Sequence, residues 1–189
     1  MAFYFKPFPK TNYNLNYSNS SEIVTNLLVR FKIEEILRNN KTSYYQIEVE
    51  EGEKPWQYAQ RVYDRADLDW LVFLVNNIVD PYYDWPLGYS ELNSYIKSKY
   101  GKVETAQTTI HEYRKILNQN SVLFDGTIVS KRTLVVDQTT YDSLTTDERE
   151  IVYKYDYEVE VNDNKRNIKS INPRDITRIL NQIEDIFEK

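Results

Sequence analysis

The apolar positions of this chain change period several times, and each change marks an element. Tyr45, Ile47 and Val49 alternate with Tyr44, Gln46 and Glu48, the period-two signature of a strand. Glu51-Gly52-Glu53 reads as a turn. Pro55 then suits the first position of a helix, where its missing N–H would be unpaired anyway, and Trp56, Ala59, Val62 and Tyr63 follow on one helical face. Asp64-Arg65-Ala66-Asp67 breaks that helix, and Asp67 is placed to cap a second one through Asn76-Asn77. Residues 44–77 therefore read as strand, turn, helix, break, helix. The second helix contains Trp70-Leu71-Val72-Phe73-Leu74-Val75, apolar all round, so it must be covered on more than one side.

Upstream, residues 1–20 read as an extended arm. Pro7 and Pro9 disfavour helix, and Asn and Ser dominate residues 11–21. Phe3, Tyr4, Phe5, Phe8, Tyr13 and Tyr17 are too many aromatics for a solvated tail, so the arm is expected to lie on another surface, its own or a partner's. Over 22–38, Ile23, Leu27, Phe31 and Glu35 recur every four residues, which suits a helix capped by Ser20 or Ser21. Leu27 to Ile33 also alternates as a strand would. The helix is the expected element.

Downstream, Asp80-Pro81-Tyr82-Tyr83-Asp84-Trp85-Pro86-Leu87 reads as a loop dense in aromatics and proline. Ser90 is expected to cap a third helix ending at Tyr100, with Gly101 as its C-terminal glycine. Residues 102–161 read as β-rich. Candidate strands are Thr108 to Tyr113, Ser121 to Phe124, Thr127 to Val129, Arg132 to Val136 and the alternating Val152 to Val161, with Asp125-Gly126 as a hairpin signal and a short helical turn within 143–150. Ile168 and Ile171 continue beyond a reversal at Asn162-Asp163-Asn164. Asn172-Pro173 starts a final helix over 173–188, striped with Ile176, Ile179, Leu180, Ile183 and Phe187. The expected division is 1–42, 43–101 and 102–189.

Composition narrows the function. The chain has 189 residues, net charge −5, 14% aromatics with 17 Tyr, only 4 Gly and no Cys. Tyr joins apolar area to a polar tip, so its abundance fits a chain that makes much contact surface, and equally one that uses Tyr as core filler. The charges are interleaved, with no basic face for nucleic acid. Without Cys there are no disulfides, thiolate zinc sites or thiol nucleophiles. The start lacks a secretory signal, and the Trp70–Val75 run is far short of a membrane span. His111 is the single histidine and reads as an ordinary strand residue. No clustered glycines form a phosphate loop and no carboxylate pair is marked out, so neither an enzyme nor a cofactor is expected. Glu48-Val49-Glu50-Glu51 and Glu158-Val159-Glu160 read as solvated strand faces. The segment Asp80 to Trp85 is the best candidate contact site: prolines limit its flexibility, and Tyr82, Tyr83 and Trp85 are interface residue types. The other reading packs it under the helix of residues 90–100 as a structural plug, and both hold if some rings face inward.

Gly52, Glu53, Lys54, Pro55, Trp56, Ala59, Tyr63, Leu71 and Asn76 stand in a register that resembles a LysM module, the glycan-binding domain. That resemblance implies that Gly52 makes the turn, that Trp56 and Ala59 pack inward and that Tyr63 closes the first helix. The longer run, from the glycine turn through Trp-Leu-Val-Phe-Leu-Val-Asn-Asn to Asp-Pro-Tyr-Tyr-Asp-Trp-Pro-Leu, resembles the baseplate wedge subunit of T-even-type contractile-tailed phages, a family with a LysM-like domain. It is strongest over 44–100. It implies an α+β fold, a LysM-like βαα module followed by a helix and a β-rich C-terminal region ending in a helix. It also implies a non-enzymatic virion protein, assembled in the host cytoplasm, that joins neighbouring wedge and tail proteins in multiple copies within a symmetric assembly. The arm, the 80–87 loop and the C-terminal β-rich part are the expected contact surfaces. The alternative is a peptidoglycan- or chitin-binding LysM protein. A LysM module normally follows its second helix with a short strand, and the aromatic loop occupies that place here.

Overall fold

The computed structural model describes residues 5, 8–14, 21–29 and 43–188, apart from the side chains of residues 184 and 186–188. In chain order the strands and helices are β1 (Lys10–Tyr13), β2 (Glu22–Thr25), β3 (Tyr44–Glu48), α1 (Pro55–Tyr63), α2 (Asp69–Asn76), α3 (Pro81–Asp84), α4 (Tyr89–Tyr100), α5 (Val103–Thr108), β4 (Ile110–Asn118), β5 (Ser121–Val122), β6 (Ile128–Val129), β7 (Arg132–Val136), α6 (Gln138–Ser143), β8 (Arg149–Tyr153), α7 (Lys154–Asn164), β9 (Asn167–Ile171) and α8 (Pro173–Glu188). Short 3₁₀ turns lie at Ala66–Leu68 and Thr146–Glu148. Residue contacts divide the chain into Met1–Pro86 with Lys165–Lys189, and Leu87–Asn164. The second unit is thus inserted into the first. This grouping takes α4 together with the segment that follows it, whereas the sequence reading drew its boundary after residue 101.

The first unit is built on β3, α1, α2 and β9. Gly52, at φ 69°, turns the chain out of β3 in a conformation that a side chain would strain. Pro55 stands at the first position of α1, and the Gln57 side chain accepts the Lys54 N–H at 2.8 Å. Asp64 and Asn77, both left-handed, end α1 and α2. The cap of α2 is Leu68 rather than Asp67, which lies inside the 3₁₀ turn; Asp69 instead accepts the Trp70 N–H at 2.8 Å. β9 pairs with β3 antiparallel, from Tyr44↔Ile171 to Glu48↔Asn167. The strand that completes this βαα unit therefore follows the inserted unit in the sequence. The core gathers Tyr58, Ala59, Tyr63, Leu68, Leu71, Val72 and Trp85 with Ile168, Ile171 and the α8 stripe Ile176, Ile179 and Ile183. Trp70, Phe73, Leu74 and Val75 pack against it, so α2 is covered on several sides, as its composition requires.

Residues 22–25 do not begin a helix. They form β2, paired antiparallel with β1, with Asn26 N–H donating to Pro9 O at 2.9 Å. The four-residue spacing there marks no buried face: Ile23, Leu27 and Leu28 are exposed. The rest of that expected helix, from residue 30, lies outside the described residues.

The second unit carries the antiparallel sheet β7-β4-β8 and a separate core of Leu92, Ile96 and Ala106, packed with Leu87, Tyr95, Tyr100, Val103, Tyr155 and Val159. Gly88, not Ser90, caps α4. Residues 103–108 are helix α5, where a β-rich segment was expected, and α6 had no sequence signal of its own. The main correction is α7. The alternation from Tyr153 to Val161 reads as a strand, yet the chain leaves β8 at Tyr153 and turns helical. The buried face of α7 is Tyr155, Glu158, Val159 and Asn162, at helical spacing. Two of those four positions are polar, which conceals the period from a count of apolar residues. Glu158 is consequently not on a solvated strand face. The reciprocal bonds Leu87 N–H to Asn162 Oδ1 (2.7 Å) and Asn162 Nδ2 to Leu87 O (2.9 Å) tie the two ends of this unit together.

Candidate interaction surface

The aromatic segment expected to be a loop contains the short helix α3. Asp80 caps it by accepting the Tyr82 N–H at 3.0 Å, and Pro81 takes the first helical position. Asp84 Oδ2 reaches back to the N–H groups of Val79 (3.2 Å) and Asp80 (3.1 Å). Lys165 Nζ donates to Tyr83 O at 2.5 Å. These bonds hold one backbone shape.

The three rings part company. Trp85 is 4% exposed and meets Tyr58 and Phe73 edge-on, at centroid separations of 5.8 and 6.2 Å. Its indole N–H donates to Glu53 O at 2.8 Å, which ties the segment to the turn before α1. Tyr82 and Tyr83 are 85% and 67% exposed. The rings therefore divide: Trp85 is buried in the first unit's core, and the two tyrosines stand exposed on the short helix that it anchors.

Glu53, whose carbonyl accepts the Trp85 N–H, is itself held through its side chain. Arg61 forks onto it, Nε to Oε1 at 2.8 Å and Nη2 to Oε2 at 2.7 Å, and a further Nη2 bond reaches Glu48 O at 3.0 Å. Partial burial pushes the Glu53 carboxyl up, but the Arg61 bonds and charge, with the Glu50 N–H, outweigh it and hold the carboxyl below its usual range.

The residues singled out at 52–76 hold the scaffold. Ala59 and Leu71 are fully buried, and Tyr63 is pushed up to about 12 by burial. Trp56 was expected to face inward and is 53% exposed. In α1 the inward positions are Tyr58, Ala59 and Tyr63, and Trp56 stands off that face in the first turn. Tyr58 takes the inward aromatic role, its hydroxyl 2.6 Å from Ser170 Oγ. In the arm, Phe8 is buried in the first unit's core with Phe5 edge-on to it at 5.3 Å, while Phe3 lies outside the described residues. His111 stacks on Tyr157 at 3.8 Å. Among the described residues no group of three His, Cys, Asp or Glu could hold a metal ion, and no helix is long and apolar enough to cross a membrane.

A model of the family described as base plate wedge protein 53 matches residues 4–186. The chain belongs to that family. None of the curated proteins compared with it matches significantly. Membership of the base plate wedge protein 53 family gives the chain a structural role in the tail baseplate of a phage virion, among other baseplate proteins.

Proposed function

We propose that this chain is a non-catalytic connector of the baseplate wedge in a contractile tail of the T-even type, present in several copies and joining neighbouring wedge proteins by direct contact. The observation that carries the reading is α3: two tyrosines held out on a backbone fixed by the Asp80 and Asp84 bonds and by buried Trp85. A pre-shaped aromatic pair loses little conformational freedom on docking, which favours a lasting contact. The scaffold beneath it is read as LysM-like. Support comes from β3, the Gly52 turn, α1 and α2, with β9 as a second strand, and from Ala59 packed inward and Tyr63 ending α1, while the exposed Trp56 departs from the pattern.

The test is co-expression with the wedge proteins of the same virus. Replacing Tyr82 and Tyr83 together by Ser is expected to leave the melting temperature within a degree or two and to lower recovery in assembled wedges at least tenfold. Wild-type recovery would remove the contact role. Retention on insoluble peptidoglycan or chitin, lost in Trp56→Ala or Tyr83→Ala, would replace the connector by a glycan-binding protein.

A further inference from the structure

The hairpin of β5 and β6 ends in a turn built to hold one aromatic ring outward. Leu123 N–H donates to Thr127 O at 2.8 Å, Gly126 N–H to Leu123 O at 2.9 Å, and Thr127 N–H to Asp125 Oδ1 at 2.9 Å. Gly126 is left-handed at φ 83°, the closing residue of a three-residue bulged hairpin turn. Below the turn, Asn118 Nδ2 holds Ser130 O at 2.9 Å and Asn120 Oδ1 holds Lys131 N–H at 2.6 Å. Phe124 stands at the apex, fully exposed, with Val122, Leu123 and Ile128 exposed around it. Between Lys115 and Lys131 the sole charged residue is Asp125, whose carboxylate is engaged by the turn. In a chain with 28% charged residues this is an uncharged, apolar finger.

We propose that Phe124 is an anchor that inserts into an apolar pocket on a neighbouring baseplate protein. The inference rests on the baseplate reading, which supplies proteins as neighbours. Its chemistry supports that choice. A nucleic acid or lipid headgroup calls for cations at the tip, and the tip offers one carboxylate instead. A second copy would have to offer a socket for a phenyl ring. The concavity beside α4, of about 310 Å³ and lined by Tyr89, Ser90, Asn93, Ser94, Lys97 and Val103, is a shallow, open depression rather than an enclosing socket. Exposed apolar side chains with few charges are the composition of an interface centre. The turn's own bonds fix the backbone that carries the ring before docking, so little backbone freedom is lost.

The test places the photo-crosslinking residue p-benzoyl-phenylalanine at position 124 of the full chain and assembles baseplates in the presence of all wedge proteins. The result expected is a crosslink from position 124 to an apolar segment of a different baseplate protein. In parallel, Phe124→Ser is expected to keep the wild-type melting temperature, since the ring touches solvent, and to lower retention in baseplates at least tenfold. A crosslink to a second copy or to lipid, no crosslink in baseplates that contain the chain, or wild-type retention of Phe124→Ser would overturn the anchor while leaving the structural role intact. A wild-type chain absent from purified baseplates would overturn the role itself, and the anchor with it.

Discussion

Glu158 holds a buried charge inside one unit. It is 5% exposed, and its Oε1 accepts from Lys99 Nζ at 2.7 Å and from Tyr100 OH at 2.6 Å. Burial pushes the carboxyl up; the two hydrogen bonds and the Lys99 charge pull harder the other way and hold it below its usual range. A carboxyl depressed on folding makes the folded state bind fewer protons than the unfolded one below the unfolded value of 4.5. The stability it contributes is present above that pH and lost as the pH falls through the folded value. Glu158→Gln keeps the shape and removes the charge. It is expected to destabilise the protein by about 1–3 kcal/mol at neutral pH, at the lower end because the Lys99 partner is half-exposed. Urea titrations at a series of pH values test this: the gap between wild type and variant should narrow below pH 4.5. Two parallel profiles would show that the ion pair carries no linked stability.

At the scale of elements, the free edge of β9 is closed by side chains rather than by a third strand. Asn76 Nδ2 donates to Lys169 O at 2.8 Å while its Oδ1 accepts the Lys169 N–H at 2.9 Å. Two residues on, Ile171 N–H donates to Tyr63 OH at 3.0 Å. A helix-borne amide and a phenol thus imitate a neighbouring strand, satisfying an edge that would otherwise invite pairing. Asn76→Ala leaves both Lys169 groups without these partners, and a loss of about 2–3 kcal/mol is expected, with faster amide exchange at Lys169. Unchanged exchange there would show that water replaces Asn76 at no cost. This arrangement also separates what was legible in the sequence from what was not. Gly52, Pro55, Ala59, Tyr63 and Asn76 act within a short stretch, and their spacing announced β3, α1 and α2. The use of Tyr63 and Asn76 against β9 was hidden, because Lys169 and Ile171 are distant in sequence. β2 was missed because four-residue spacing suggested a helix there, whereas its apolar Ile23 is exposed and the strand is defined only by pairing with β1. α7 was missed because Glu158 and Asn162 occupy its buried face, so charge stands where apolar periodicity would be sought. At the candidate surface the aromatic segment was readable from composition, but the inward turn of Trp85 and the outward turn of Trp56 depend on which helical face meets the core.

For the whole molecule, the insertion at 86/87 and 164/165 poses the question of whether the first unit needs the second in order to fold. The first unit closes its own sheet through β3 and β9 and has a continuous core from Tyr58 to Ile183. Lys165 reaches Tyr83 O, so the two points where its chain is interrupted are already joined by a bond internal to this unit. The second unit has a separate core and its own end clamp, Asn162 on Leu87. A unit whose ends lie together is removable at little entropic cost, because a short connection replaces a long one. Residues 1–86 joined to 165–189 by a four-residue Gly/Ser linker are therefore expected to unfold in one cooperative transition. Trp85 and the partly buried Trp70 should keep the blue-shifted emission of sheltered indoles, although Trp56 contributes red-shifted signal from solvent, so Trp56→Phe is the background of choice. The shortened chain also isolates α3: it should still display Tyr82 and Tyr83 while lacking the Phe124 finger. If it retains part of the wedge binding and loses the remainder, the two surfaces act separately. A shortened chain with no cooperative transition would instead make the inserted unit part of the folding nucleus of the first.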